Sequence, residues 1–329
     1  MRRREFITLV AGAAATWPLA ARAQQPARMR HIGVLTSTAA DDPEGLARHA
    51  VFMQALEQLG WIEGRNVQID LRWVGGNADL YRKYAAELVA LRPDVILGTS
   101  GPTIAALQTE TRTVPIVFAQ AVDPVGAGFV DSLARPGRNA TGFTPFEFGI
   151  SGKWLELLKE ITPGLTRAAV IRDPAIATGI GQFGAIQSVA PSLGVELSPV
   201  SVRDPGEIER GVSAFARSSN GGLIVTASPL AGVHRHLIFK LAIQHKLPAV
   251  YFARYMAVDG GLISYGPDFV DQYRQAAGYI DRILKGEKPA DLPVQAPSKY
   301  QLVINLRTTR AIGLAIPSSI IARADEVIE

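Results

Sequence analysis

Short apolar runs alternate with longer amphipathic segments along the chain from residue 31 onward. In the first half, runs typical of buried strands lie at 31–36, 66–73, 94–98 and 115–118. The segments between them carry apolar side chains at helical spacing, as at Leu46, Ala50 and Met53. Strands separated by helices of this length predict βαβ units, with helices covering both faces of a parallel sheet.

The second half of the chain repeats this order. Strands are predicted at 167–171, 195–202 and 222–226, with helices around 182–193 and 207–217. Residues 96–118 and 224–252 share one succession of a strand, a Ser/Thr turn, Pro in the first helical turn, a helix, Pro, a strand and Phe. This agreement across successive elements predicts an α/β chain with two Rossmann-like lobes.

The remaining segments complete these lobes. The pattern predicts a strand at 260–266, a helix at 269–284, a connector at 289–293, a last strand at 302–305 and a short helix at 308–314. The tail from residue 316 is expected to pack loosely.

Residues 1–23 have the parts of a cleaved export signal. Basic residues 2–4 precede a short apolar stretch, and the A-x-A sequence at 21–23 predicts cleavage after Ala23. Residues 3–7 resemble the twin-arginine export motif, with general secretion as the other route and an uncleaved anchor as the alternative to cleavage. No later segment reaches the ~20 apolar residues of a spanning helix. We therefore expect a soluble mature protein in the periplasm.

Composition excludes several chemistries. The chain has 47% apolar and 19% charged residues, which is typical of a globular protein, and it has no cysteine. Disulfides, thiolate metal sites, iron–sulfur clusters and a cysteine nucleophile are therefore excluded. The net charge is +4, but after residue 23 the chain has 30 basic and 29 acidic residues and no basic stripe with interleaved aromatics. We expect no nucleic-acid partner.

The sequence lacks the common enzyme and cofactor motifs, apart from one glycine-rich match. Residues 179–184 match G-x-G-x-x-G, but they lie eight residues after the strand at 167–171, so a flexible turn entering a helix is the favoured interpretation. Residues 98–101 do not have the G-x-S-x-G spacing, and neither H-E-x-x-H nor a phosphate-binding P-loop is present. We expect no catalysis, no cofactor and no metal site.

A family resemblance rests on residues 123–142, DPVGAGFVDSLARPGRNATG. This segment is similar to the DPVxxGxVxSLAxPGxNxTG signature of ABC transporter substrate-binding proteins of the tryptophan/tyrosine type. Supporting features lie at 56–66, 265–267, 283–289 and 292–293, and the resemblance spans nearly all of residues 30–317. Arg138 departs from the pattern, since the family often has Gly there.

The resemblance implies a type I periplasmic-binding-protein fold, with two lobes joined by a three-segment hinge and a ligand in the cleft. We assign residues 24–145 and 256–292 to the first lobe, and residues 146–255 and 293–329 to the second. Hinge crossings are predicted near 142–146, 254–260 and 293–298, where Gly and Pro interrupt the strands.

Candidate ligand-binding residues follow from the strand ends, because ligands of parallel sheets bind beyond the carboxyl ends of the strands. The candidates are Thr36, Ser37, Thr99, Ser100, Phe118, Asp123, Asp173, Ser228, Tyr251, Arg254 and Tyr265.

Each candidate has a ligand-binding and a structural interpretation. Ser100 and the following helix N-terminus suit a carboxylate, Asp123 or Asp173 suits an ammonium group, and the aromatic candidates suit stacking. The alternatives are helix caps for the hydroxyl residues, a turn at Asp123, a core position for Phe118 and a solvated side chain at Arg254.

The family resemblance, together with the missing enzyme motifs, implies the solute-binding component of an ABC importer. It would capture a small molecule, such as an amino acid or an aromatic or carboxylate compound, by hinge closure and pass it to a permease in the inner membrane. We expect a monomer. A sensor that presents its ligand to a membrane receptor, and an exported α/β enzyme, are the alternative functions.

Overall fold

The computed structural model describes residues 28–297 and 299–329. The predicted export signal and its cleavage site lie outside the described residues. Within the described ranges, no helix is both long enough and apolar enough to cross a membrane.

The first lobe is built on a parallel sheet of five strands, in the order β2-β1-β3-β4-β5. Asp42, Asn77 and Ser100 cap the helices that follow β1, β2 and β3, so each strand ends in a polar turn. The strands are β1 (Arg30–Thr36), β2 (Val67–Trp73), β3 (Val95–Gly98), β4 (Ile116–Ala119) and β5 (Ala140–Phe143), and the helices are α1 (Pro43–Gln58), α2 (Ala78–Ala90) and α3 (Gly101–Glu110).

The second lobe holds a sheet of seven strands, in the order β12-β11-β10-β9-β8-β6-β7. Its strands are β6 (Arg167–Arg172), β7 (Glu196–Ser201), β8 (Gly221–Val225), β9 (Ala249–Tyr251), β10 (Ile263–Pro267), β11 (Tyr300–Asn305) and β12 (Glu326–Ile328). The β10–β11 pair is antiparallel and the other pairs are parallel. The predicted two-lobed α/β architecture is confirmed, with this one antiparallel pair added.

Helices cover both faces of the second sheet. They are α4 (Ile150–Ile161), α5 (Ala177–Val189), α6 (Pro205–Phe215), α7 (Pro229–Val233), α8 (Arg235–Gln244), α9 (Arg254–Val258), α11 (Leu306–Ile312) and α12 (Ser318–Arg323), while α10 (Phe269–Leu284) belongs to the first lobe. The apolar face of α10 packs there against α1: Tyr273 and Ile280 share a buried cluster with Phe52.

Two segments differ from the sequence prediction, one in its place and one in its packing. Strand β10 pairs with β9 and β11, so residues 263–267 belong to the second sheet rather than to the first lobe. The pattern identified the strand but contained no information about its partners. The tail is not loose: Ile320 is fully buried, and β12 continues the sheet beside β11.

The described chain passes between the lobes after β5, after β10 and before β11. The predicted crossing at 254–260 is wrong, because those residues form α9 and the turn that leads to β10. The observed crossings are joined by hydrogen bonds: the Thr144 N–H donates to the Gln295 carbonyl at 2.9 Å, and Gln272 Nε2 donates to the Thr144 carbonyl at 3.1 Å. The segments that join the two lobes are thus connected directly to one another.

The glycine motif at 179–184 lies inside α5 and not in a turn before it. A Cβ on Gly179 would overlap the backbone carbonyl of Asp173, and one on Gly181 would meet the Phe148 ring. The motif therefore allows α5 to pack closely against its neighbours.

Candidate functional site

A cavity of about 380 Å³ lies between the two lobes, at the carboxyl ends of their parallel strands. Ser37, Ser100 and Gln120 line it from the first lobe, and Ser228 and Tyr255 line it from the second. These residues follow β1, β3, β4, β8 and β9. The position is the one expected for ligands of open α/β sheets.

Two of these hydroxyl groups also cap helices. Ser100 Oγ accepts a hydrogen bond from the Thr103 N–H at 3.4 Å, and Ser228 Oγ accepts one from the Ala231 N–H at 3.0 Å. The caps fix the first turns of α3 and α7, so the cavity wall at Gly101 and Pro102 is held by the helix itself.

The Arg48 guanidinium is buried at the cavity wall. Its Nε donates to Glu44 Oε1 at 2.8 Å, and its carbon lies 5.1 Å from the ring centre of Tyr255 and 5.2 Å from that of Phe269. Burial lowers the pKa of Arg48, but the Glu44 carboxylate and the Tyr273 and Tyr255 hydroxyls together hold that pKa above the ordinary value. Arg48 is therefore a fixed cation that links α1 to aromatic groups of the second lobe and of α10.

Gln120 follows β4 in a left-handed backbone conformation, with φ of 66°. Its Oε1 accepts a hydrogen bond from Arg48 Nη1 at 3.3 Å. Its Nε2 is shielded from solvent and has no hydrogen-bond partner among the described residues. Positive φ is uncommon for a residue other than glycine and is concentrated at functional sites.

Arg235 joins the lobes on another side of the cavity. Its Nη1 donates to Asp42 Oδ2 of the first lobe at 2.6 Å, and its Nε donates to Asp259 Oδ2 of the second lobe at 2.7 Å. Burial lowers the pKa of Arg235, while the hydrogen bonds to the two carboxylates raise it above its usual value. Arg235 is thus a permanent cation paired with both lobes.

Aromatic side chains form an apolar part of the wall. Phe252 lies edge-to-face with Tyr255 at 6.1 Å and with Phe269 at 6.1 Å, and Phe146 lines the same cavity. Burial raises the pKa of Tyr255 to about 12, so its hydroxyl is neutral at physiological pH. The cavity therefore combines polar strand ends, paired charges and stacked rings.

Of the predicted site residues, Ser37, Ser100 and Ser228 line the cavity. Thr36 and Thr99 lie directly behind this wall, since Thr99 Oγ1 donates to Thr36 Oγ1 at 3.2 Å and accepts from the Ser37 N–H at 3.3 Å. These two threonines fix the end of β1 to the end of β3 rather than facing the cavity.

Three other predicted residues have structural roles inside the lobes. Phe118 and Tyr251 are completely buried in the two cores, because their side chains face the helix layers and not the strand ends. Asp123 has φ of 45°, and its carboxylate accepts from the Gly126 N–H at 2.9 Å, as expected of a turn residue.

The remaining predicted residues also lie off the cavity wall. Asp173 is buried and accepts from the Ala175 N–H at 2.9 Å. Arg254 pairs with Glu326 of β12 at 2.6 Å, and the ring of Tyr265 packs on Tyr300 at 5.8 Å. The structure thus does not place these three side chains among the cavity-lining residues.

The sequence pattern did not indicate five residues that line the cavity, namely Arg48, Arg235, Gln120, Tyr255 and Phe269. One available signal was the Glu44–Arg48 spacing of four residues on a helix that begins at a strand end. Gln120 was visible as the first polar residue after β4. The partners of Arg235 are far apart in sequence, and no local pattern identifies them.

Comparisons with known proteins agree with this geometry. A tyrosine-binding protein of Clostridioides difficile is 25% identical over 269 residues, covering 80% of this chain and 75% of that protein. The crystal structure of a conserved domain protein from Vibrio cholerae is 28% identical, has a TM-score of 0.85 and covers 91% of this chain and 100% of that one.

The crystal structure of an ABC domain in complex with L-Trp, from Streptococcus pneumoniae, is 25% identical with a TM-score of 0.84, and it covers 91% of this chain and 100% of that one. The lobes and their crossings have the type I periplasmic-binding-protein fold. The family model described as ABC transporter substrate binding protein matches residues 38–328. The chain therefore belongs to the ABC transporter substrate-binding protein family.

Proposed function

We propose that the protein is the solute-binding component of an ABC importer and that it captures an aromatic amino acid between its lobes. The observation that carries this proposal is the cavity of about 380 Å³ whose wall combines polar strand ends of both lobes with aromatic rings. A ligand that contacts both walls binds the closed form better than the open form, so it shifts the population toward closure.

The cavity wall suits each part of such a ligand. The end of β3 and the first turn of α3 suit a carboxylate, and Glu44 is a carboxylate within the wall that suits an ammonium group. Phe146, Phe252 and Tyr255 offer apolar faces for an aromatic side chain. Relatives described as tyrosine-binding and as complexed with L-Trp support this ligand class.

The family supports a cellular role in transport. Its model is described as ABC transporter substrate binding protein, one relative is described as tyrosine-binding and another was solved in complex with L-Trp. We propose that residues 1–23 direct export to the periplasm, that cleavage follows Ala23, and that the closed monomer passes its ligand to an inner-membrane permease.

Calorimetric titration of the purified protein tests ligand capture. The protein is unfolded and refolded to remove carried-over ligand and then titrated with L-tryptophan, L-tyrosine, L-phenylalanine, L-leucine and L-glutamate. We expect saturable binding of at least one aromatic amino acid and weaker binding of the last two. Binding of none of the aromatic amino acids would overturn the ligand class.

A variant that blocks the cavity tests its role, and a matched variant outside the cavity serves as the control. A Cβ at Gly101 meets no atom within 4 Å, so Gly101→Met extends a side chain at the cavity wall without a backbone clash. Gly278 in α10 is equally unobstructed but lies outside the cavity. We expect Gly101→Met to abolish binding and Gly278→Met to retain it, with both variants folded by circular dichroism. Equal binding by both variants would place the ligand elsewhere.

Uptake measurements separate import from sensing. Cells lacking the gene should accumulate the radiolabelled ligand more slowly, and the wild-type gene should restore uptake while Gly101→Met should not. Unchanged uptake by a protein that binds the ligand would favour the role of a ligand-presenting sensor.

A further inference from the structure

The amide group of Gln120 is held in one orientation. Its Oε1 accepts from Arg48 Nη1 at 3.3 Å, and a guanidinium has no acceptor atom, so the amide oxygen and not the nitrogen must face Arg48. Arg48 is itself fixed by Glu44 and by the rings of Tyr255 and Phe269. The Nε2 group of Gln120 therefore faces away from Arg48.

That Nε2 group is a donor without an acceptor. It is buried and has no hydrogen-bond partner among the described residues, although Gln120 lines the cavity. Buried donors are normally paired, and a pocket with an unpaired donor discriminates against ligands that have no acceptor to offer it. The left-handed backbone of Gln120, with φ of 66°, holds the side chain at this position.

The cavity is lined by three carboxylates, Asp41, Asp42 and Glu44, and by the guanidinium groups of Arg48 and Arg235, and it is the side beside Gln120 that favours an anionic acceptor. Gly98 of β3 is in register with Phe118 of β4, so Ser100 and Gln120 leave the sheet side by side. Within the first turn of α3, Pro102 has no N–H and the Thr103 N–H donates to Ser100 Oγ. The Gly101 N–H, at the positive end of the helix dipole, is therefore the backbone donor of this turn that is left for a ligand. Arg48 adds a positive charge on the other side of the Gln120 amide, and its carboxylate partner Glu44 engages the guanidinium Nε rather than the amide.

We infer that Gln120 is a specificity-determining residue whose Nε2 donates to the carboxylate of the bound ligand. This inference rests on the proposed function and adds to it a requirement: a ligand with the same aromatic group and ammonium but without the carboxylate leaves Nε2 unpaired. Arg48 is a positioning residue here, because it orients the amide.

The test compares an amino acid with its decarboxylated amine. Wild-type protein is titrated with whichever of L-tryptophan and L-tyrosine it binds more tightly. It is then titrated with the matching amine, which is tryptamine for L-tryptophan and tyramine for L-tyrosine. We expect wild type to prefer the amino acid by about 100-fold or more. In Gln120→Met, which keeps length but has no donor, that preference should fall about tenfold or more, with little change in the affinity for the amine. Gln120→Glu replaces the donor with a second carboxylate and should reduce the preference further.

The ratio of the two affinities separates recognition from a structural effect. A residue that only supports the wall would weaken amino acid and amine by the same factor, and that result would overturn the inference. Equal wild-type affinities for the two compounds would overturn it as well. If wild type binds no aromatic amino acid, both the proposed function and this inference fail. The wild-type titration alone distinguishes this outcome from a failure of the inference only.

Discussion

Arg235 of the second lobe and Asp42 of the first lobe form an ion pair of 2.6 Å across the cleft. Both side chains are largely buried, with exposed fractions of 6% and 14%. The pair exists only while the lobes are together and involves no ligand atom. Because the pair joins the two lobes directly, we expect it to favour the arrangement of the lobes seen in this structure and to add to the contacts that a ligand makes with both.

Asp42→Asn should weaken this closure selectively. Asn remains a good helix cap, so the hydrogen bond to the Gly45 N–H can persist, while the charge that pairs with Arg235 is lost. A hydrogen bond to a charged group contributes about 1.5–3 kcal/mol, so ligand affinity should fall about tenfold to a hundredfold. Calorimetry measures the affinity, and small-angle scattering should show a larger radius of gyration for the ligand-free variant.

Arg254→Gln is the matched control. Arg254 pairs with Glu326 on the surface of the second lobe, where such pairs contribute about 0–1 kcal/mol. Its ligand affinity should equal that of wild type. A loss at Arg254 as large as at Asp42 would show that Arg254 reaches the ligand, as sequence analysis proposed, and would remove the special role of the inter-lobe pair.

The close packing of α5 leads to a second prediction. A Cβ at Gly179 would overlap the Asp173 carbonyl, so Gly179→Ala should destabilise the protein by about 1–3 kcal/mol. On the same helix, a Cβ at Gly184 meets no atom within 4 Å, and Gly184→Ala should stabilise by up to about 1 kcal/mol. Denaturant unfolding followed by circular dichroism measures both, and equal effects of the two changes would contradict the packing argument.

Local patterns predicted most of the elements but not all of their partners. The apolar runs at β1, β3 and β8 are short and end at turn residues, so a window of a few residues is enough to predict each strand. Strand β10 has the same pattern, yet its place in the second sheet depends on pairing with β9 and β11. Such pairing joins segments that are distant in the chain, and the local sequence does not show which strands will pair.

The site was harder to predict for a geometric reason. Side chains alternate across a sheet, so one strand-end residue faces the cleft while its neighbour enters the core. Polar strand ends such as Ser100 therefore lie on the cavity wall, whereas Phe118 and Tyr251 lie in the cores of the lobes. Arg48 and Arg235 reach the cavity from helices, and their roles depend on contacts between lobes.

Tyr251 provides a prediction in which the core and ligand-binding interpretations give opposite results. Its ring is fully buried at 5.3 Å from Phe239, and its hydroxyl has no hydrogen-bond partner within the described chain. An unpaired buried hydroxyl costs about 1–3 kcal/mol, so Tyr251→Phe should raise the melting temperature by about 2 °C and leave ligand affinity unchanged. Weaker ligand binding without a change in stability would instead support a direct contact.

Acid should destabilise the protein through His49. This side chain is half-buried on α1 beside Trp73, at 6.1 Å between ring centres, and burial lowers its pKa, with Glu63 acting in the opposite direction. A lowered pKa in the folded state means that the unfolded chain binds the proton more readily. The stability that neutral His49 contributes is therefore fully present above its unfolded pKa of about 6.5. That stability is lost as the pH falls from there toward the folded pKa.

Melting temperatures at about pH 7.5, 6.5 and 5.5 measure this loss, because they span the unfolded pKa of histidine. The fall should be steeper for wild type than for His49→Gln, which has no titrating group at that position. Burial also lowers the pKa of His234, so the double variant His49→Gln/His234→Gln should have the flattest profile. If His49→Gln and wild type lose stability in parallel over this range, the acid sensitivity arises elsewhere, since removing a group that drives proton uptake on unfolding must reduce the slope.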